Sequence, residues 1–160
     1  MASWTGRELL VWGGRNGTQL NDGGRYDADL NSWAAMTSTG VPSIRQDAMA
    51  AWTGREMLIW GGRAGAATNT GAKYDPRVDT WTAITTSGAP TGRSFTTGIW
   101  TGRHMLIWGG GSIGSPLNTG GAYDPAADMW ADMALTGVPG RRTDHVSVWT
   151  GAQLLVWGGL

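Results

Sequence analysis

Residues 45–81 read RQDAMAAWTGREMLIWGGRAGAATNTGAKYDPRVDTW. Ala48–Trp52 is a predicted short strand of mostly small residues, closed by the turn Thr53-Gly54. Arg55–Trp60 follows, with four consecutive apolar residues, Met57-Leu58-Ile59-Trp60, the pattern of a strand buried on both faces. Gly61-Gly62 ends it, and a loop from Arg63 to Thr70 leads to a third strand at Ala72–Asp75. Pro76-Arg77-Val78-Asp79 makes the next turn, with proline supplying the fixed φ that turns favour. Thr80–Ile84 is a fourth strand, with Trp81 and Ala83 on one side and Thr80, Thr82 and Ile84 on the other.

This unit recurs along the chain. Trp4, Trp52, Trp100 and Trp149 each open Trp-Thr-Gly; Trp12, Trp60, Trp108 and Trp157 each precede a Gly-Gly pair; Trp33, Trp81 and Trp130 each follow a Tyr-Asp pair at one offset. All eleven tryptophans therefore fall on the repeat, at steps of 48, 48 and 49 residues. A period of roughly 20–50 residues signals a solenoid, propeller or array. A sheet of four short strands cannot bury its own two faces and must stack on copies of itself. Each indole can bury roughly 150–250 Å², and glycine pairs beside the indoles let a neighbouring ring or backbone approach closely. Radial stacking of twisted sheets gives a β-propeller, which also protects the sheet edges.

Composition sets further bounds. Twelve Lys+Arg balance twelve Asp+Glu, so no long-range field gathers nucleic acid or anionic lipid, and neither a nucleic acid nor a membrane is an expected partner. Long stretches with helical periodicity are missing. The absence of cysteine removes disulfides, thiolate metal sites and cysteine nucleophiles, and leaves the compartment undecided. The apolar runs are too short to span a bilayer, and Met1-Ala2-Ser3-Trp4 does not read as a signal peptide.

Gly-Gly, then Tyr-Asp, then Trp, then an Arg ahead of the next strand resembles the kelch repeat. The matching residues are Gly13-Gly14, Tyr26-Asp27 and Trp33; Arg45, Gly61-Gly62, Tyr74-Asp75 and Trp81; Arg93, Gly109-Gly110, Tyr123-Asp124 and Trp130; and Arg142 with Gly158-Gly159. The Trp-Thr-Gly and Ile/Val-Trp-Gly-Gly wording is similar to tandem kelch arrays of bacterial proteins. The resemblance implies one propeller blade per repeat and usually about six or seven blades in a ring. The expected fold is all-β, a kelch-like propeller of four-stranded antiparallel blades at about 1–37, 44–85 and 92–134, with a partial blade at 141–160.

The first two strands occur four times and the last two only three times, and the first copy lacks the Arg and most of its first strand. The C-terminal wording, Trp149-Thr-Gly-Ala-Gln-Leu-Leu-Val-Trp-Gly-Gly, nearly repeats that from Trp4. This redundancy suggests assembly in trans, with the strand around His145–Trp149 supplying an inner strand to a blade of another chain. A homodimer closing a six-bladed ring is the leading arrangement; seven or eight blades, or a four-bladed monomer with one incomplete blade, are the alternatives. Repeats this alike fit recent duplication in a natural protein, a fragment of a longer array, or design.

In an up-and-down meander the second-to-third-strand loops (Arg15–Asp22, Arg63–Thr70, Gly111–Thr119) share one end with the fourth-to-first links (Ser38–Ile44, Ser87–Gly92, Thr136–Arg141). Variable loops on a repeated scaffold are where recognition usually sits; drift at solvated positions is the competing reading. Arg45, Arg93 and Arg142 lie at that end, and a dimeric ring would gather six such guanidinium groups, suited to a carboxylate, sulfate or phosphate. The bland alternative pairs each with a local acid, such as Asp47 or Asp144, or with loop carbonyls. Asp27-Ala-Asp29-Leu-Asn31 has the opening spacing of a calcium loop but has serine at its sixth and twelfth positions and reads as a turn. His104 and His145 occupy different repeat positions and make no metal set; His145 is expected to be packed or to face the channel. No cofactor and no metal are expected. Some kelch-type propellers are enzymes, but the copper oxidase of that group needs a tyrosine–cysteine cofactor, and no serine here has a nucleophile-elbow context. The expected function is a non-catalytic, self-assembling scaffold that binds a protein or glycan through its loop face. A carbohydrate- or small-anion-binding module stands second and an enzyme third.

Overall fold

The computed structural model describes residues 1–160, which form strands, turns and loops with no helix. Blade 1 is an antiparallel meander of β1 (Ala2–Trp4), β2 (Glu8–Arg15), β3 (Gln19–Asp27) and β4 (Ser32–Ala35). Blade 2 consists of β5 (Met49–Trp52), β6 (Met57–Trp60), β9 (Gly71–Asp75) and β10 (Thr80–Ile84), with a small hairpin, β7 (Arg63–Ala64) and β8 (Ala66–Ala67), in the loop between its second and third strands. Blade 3 repeats this with β11 (Thr97–Trp100), β12 (Met105–Trp108), the hairpin β13 (Gly111–Ser112) and β14 (Ser115–Pro116), β15 (Gly120–Asp124) and β16 (Met129–Asp132). A two-stranded hairpin, β17 (Val146–Trp149) and β18 (Leu154–Trp157), ends the chain.

Two expectations change. Arg63–Thr70 is not a plain loop, because Arg63↔Ala67 and Ala64↔Ala66 pair across Gly65. The first blade is not missing its inner strand: Ala2, Ser3 and Trp4 pair with Val11, Leu10 and Leu9, and the Met1 ammonium donates to the Trp12 carbonyl. Three residues suffice because the turn Thr5–Glu8 fixes their register, its Thr5 Oγ1 accepting from Glu8 N at 2.8 Å.

The core lies between blades. Strand alternation sends Leu10 and Trp12 of blade 1 toward blade 2, where with Met36 they pack on Met57, Ile59, Tyr74 and Trp81. The other face of blade 2 sends Leu58, Trp60 and Ile84 toward Met105, Ile107, Tyr123 and Trp130 of blade 3. Trp81 and Ile84 therefore face opposite ways, as the alternation requires. At each junction one indole tilts against the next blade's: Trp12 on Trp81 with centroids 5.5 Å apart, Trp60 on Trp130 at 5.3 Å. The receiving tryptophan is braced by its own blade's tyrosine, at 4.9 Å for Tyr74–Trp81 and 5.0 Å for Tyr123–Trp130. The tyrosine hydroxyl donates to Asp79 or Asp128 at 2.6 Å, and that carboxylate also accepts the backbone N–H of Thr37 or Thr85 from the preceding blade.

The Gly-Gly pairs close the inner part of each junction. The second glycine donates its N–H to the carbonyl of the repeat arginine in the next blade, in Gly14–Arg45, Gly62–Arg93 and Gly110–Arg142. At Gly61 (φ 72°) a Cβ would lie 2.7 Å from the Arg93 carbonyl oxygen, and at Gly62 (φ 85°) 2.6 Å from that of Gln46. Only glycine allows both this conformation and this approach.

Candidate functional site

The fourth-to-first links and second-to-third loops do share one end, and hydrogen bonds tie them together. The Arg45 guanidinium donates to the carbonyls of Ser43, Gly61 and Thr70 and to the hydroxyls of Ser43 and Thr70, all within 2.8–3.1 Å. Arg93 repeats the set with the Thr91, Gly109 and Thr119 carbonyls and the Thr91 and Thr119 hydroxyls. A guanidinium has five N–H groups, so both forks are fully used by the chain. Each residue is 1% exposed, and burial pulls the Arg45 pKa down and that of Arg93 down to about 10. Their partners are carbonyls and hydroxyls rather than acids: Asp47 pairs with Arg63, not with Arg45. Arg142 is more open and makes two such bonds, to the Gly140 and Gly158 carbonyls. The three arginines therefore staple link to loop.

Beside them an inner rim of the blades is built from the residues two positions on. Asp47, Phe95 and Asp144 have φ of 56°, 56° and 54°, and a backbone chain joins them: Phe95 N–H donates to Asp47 O, and Asp144 N–H to Phe95 O. A bulky residue rarely adopts that conformation, and such strain clusters at functional positions. The Arg63 guanidinium lies 5.0 Å from the centre of the Phe95 ring and donates to Asp47 at 2.8 Å, so one cation ties loop and rim across the blade 2–blade 3 junction. A cavity of about 330 Å³ opens there between the β7–β8 and β13–β14 hairpins, with Arg63, Ser94 and Ile113 in its wall; Ile113 is 78% exposed.

The architecture and the repeat chemistry are matched by sequence comparison. Residues 1–160 match the model of the KLHDC2/KLHL20/DRC7 Kelch-repeats domain. The chain belongs to the kelch-repeat family. No curated protein matches it significantly. A kelch-repeat domain is in general a protein-interaction scaffold, typically non-catalytic, and the loop end described above varies between repeats of this kelch chain.

The remaining predicted positions also have defined places. Asp27 Oδ1 accepts from the backbone N–H of Asp29 and Leu30, which makes the calcium-like stretch a capped turn. His145 is buried against Trp108, with centroids 5.2 Å apart, and its Nε2 lies 2.8 Å from Thr97 Oγ1, so it packs at a junction. No group of three or more His, Cys, Asp or Glu side chains converges as a metal site, and no helix is long and apolar enough to cross a membrane. The structural tryptophans Trp12, Trp60, Trp81, Trp108 and Trp130 are buried, whereas Trp33 and Trp157 are 60% and 81% exposed. Sequence reasoning missed the rim. Its signal was present: two aspartates and a phenylalanine stand at one offset after the repeat arginine.

Proposed function

We propose that this kelch chain is a self-assembling, non-catalytic scaffold that docks end to end with a second copy and presents its loop ends to a partner protein. One observation carries the reading: the exposed faces at the two ends are the two halves of the junction already formed twice within the molecule. Leu155 and Trp157, with Val146 and Val148 opposite them, stand where Leu58 and Trp60, with Ala51 and Met49, stand in blade 2. That face is the projecting half, and its four apolar side chains are exposed and line a shallow hollow of about 620 Å³. Leu9, Val11, Tyr26 and Trp33 of blade 1 stand where Met57, Ile59, Tyr74 and Trp81 stand, and form the receiving half. Tyr26 already braces Trp33 at 5.2 Å, and its hydroxyl donates to Asn31 at 2.8 Å.

Docking is therefore face to face rather than by the loan of an inner strand, because β1 already occupies blade 1's inner position and β17 pairs with β18. Two copies related by a two-fold axis bury both pairs of ends. Such a ring has eight blade positions when each β17–β18 hairpin keeps its own place. The test is substitution at each end. Trp157→Arg and Trp33→Arg are each expected to abolish association measured by analytical ultracentrifugation, while Ile113→Arg, at an equally exposed apolar residue on the loop end, leaves it intact. Association unaffected by either tryptophan change would refute the proposal.

A further inference from the structure

The end opposite the loops carries a second basic constellation, in which the guanidinium groups pair with acids rather than carbonyls and three of them stand at the surface. Between blades 1 and 2 lies a cavity of about 480 Å³ whose wall includes Arg7, Glu8 and Arg25 of blade 1 and Trp52, Arg55 and Arg77 of blade 2. That volume is within the range of about 300–1,000 Å³ typical of small-molecule sites. Arg7 and Arg55 are each 67% exposed. Arg7 spends one nitrogen on Asp27, at 3.1 Å. The Arg55 guanidinium makes no hydrogen bond and stands 3.6 Å from Asp75, a carboxylate that Arg77 already holds through two contacts of 3.0 and 2.6 Å. Glu8, the one acid in the wall, is neutralised by Arg25, whose Nη2 lies 2.9 Å from both its oxygens. Arg25 Nε is buried without a partner. Unlike Arg45 and Arg93, whose five N–H groups are all used, Arg7 and Arg55 keep most of theirs free.

The repeat supplies an internal comparison. The equivalent cavity between blades 2 and 3, about 390 Å³, keeps the plan of acid, base, arginine, proline and tryptophan, as Glu56, Lys73, Arg55, Pro125 and Trp100. There Ala126 replaces Arg77, Lys73 replaces Arg25, and the Lys73 ammonium is engaged by the Pro125 carbonyl at 3.2 Å. The scaffold provides a hollow at each junction, and the first is the one furnished with four arginines.

From this geometry we infer that the blade 1–blade 2 cavity binds a phosphorylated ring compound of about nucleoside-monophosphate size, its ring against Trp52 and its phosphate between Arg7, Arg55 and Arg77. A single planar fork satisfies a carboxylate bidentately. Forks arriving from two blades instead suit a tetrahedral dianion with three terminal oxygens. An indole face is a stacking platform for a flat base. The site lies within one chain and does not depend on assembly.

The test is calorimetric titration of the full chain with AMP, and with adenosine, inorganic phosphate and glucuronate as separated parts and as the carboxylate alternative. AMP is expected to bind one per chain, at least ten-fold tighter than adenosine, phosphate or glucuronate. Arg55→Ala and Arg77→Ala, both at exposed side chains and checked for an unchanged melting temperature, should each weaken AMP binding by about ten-fold, the loss of one charge-assisted contact. Ala126→Arg should strengthen binding in the second cavity and raise the stoichiometry toward two. Absence of AMP binding, binding indifferent to Arg55→Ala and Arg77→Ala, or glucuronate binding as tightly as AMP would each overturn the assignment.

Discussion

Blade 2 and the terminal hairpin carry nearly the same residues in opposite circumstances. Trp60 is fully buried between two blades, while Trp157, at the same repeat position, is 81% exposed; Trp81 is 8% exposed and its counterpart Trp33 is 60% exposed. The repeat positions are alike, so the difference lies in what surrounds them: Trp157 lacks both the strand that β9 provides beside β6 and a facing blade, and Trp33 lacks a facing blade. A kelch blade is thus an element whose side-chain pattern specifies the next blade as much as itself. The indole is a core residue only when a second sheet covers it.

The sharpest way to break this comparison is to truncate the same residue in both settings. Trp60→Ala is expected to cost about 3–5 kcal/mol, the range for deleting a large buried aromatic. Trp157→Ala should change the stability of the isolated chain by no more than about 0.5 kcal/mol, as for an exposed position. Urea unfolding at low protein concentration measures both; equal losses would mean that the junctions do not hold the blades.

The repeat arginines provide the next comparison. Arg93→Met leaves the buried carbonyl of Gly109 without a donor, while that of Thr119 keeps the Gly109 N–H, and should cost about 1–3 kcal/mol. Arg142→Met, at an open position with two bonds, should cost under about 1 kcal/mol. Thermal unfolding of the two variants distinguishes a staple from a surface charge.

A third pair separates conformation from crowding. Gly54 and Gly62 have φ of 93° and 85°, but a Cβ at Gly54 meets open space and one at Gly62 meets the Gln46 carbonyl and Ala48. Gly54→Ala should cost about 1–2 kcal/mol for left-handed backbone. Gly62→Ala should cost more, and should also loosen the Gly62–Arg93 bond, visible as faster amide exchange there.

The smallest expected effect is a pH dependence at the hairpin. Burial first, and the charge of Arg142 second, lower the His145 pKa below its ordinary 6.5, against a smaller opposite effect of Asp144. The folded chain therefore takes up a proton at His145 less readily than the unfolded chain does. Its contribution is whole above about pH 6.5 and is lost as pH falls from there toward the folded pKa. His145→Thr, which copies Thr96 at the equivalent position, should flatten that part of the stability profile. A slope unchanged in the variant would place its origin elsewhere.

Much of the fold was legible because indole, glycine pair and proline turn recur at one spacing, and each has a local physical meaning. Met57–Trp60 and Thr80–Ile84 are strands where the pattern put them. The closure of Arg45 and Arg93 was harder to read, since backbone carbonyls of Gly61, Thr70, Gly109 and Thr119 have no signature in a sequence. The inner strand Ala2–Trp4 was obscured because the repeat arginine that marks its counterparts is missing there. The four-arginine cavity was invisible for a different reason: Arg7 and Arg77 lie seventy residues apart and meet only when blades 1 and 2 stack.

The most direct test of the account is the mass of the unmodified kelch chain in solution by light scattering. Complementary end faces predict a closed dimer of twice 16.9 kDa, constant over a wide concentration range. A monodisperse species of 16.9 kDa, with Trp33 and Trp157 still open to solvent, would contradict it.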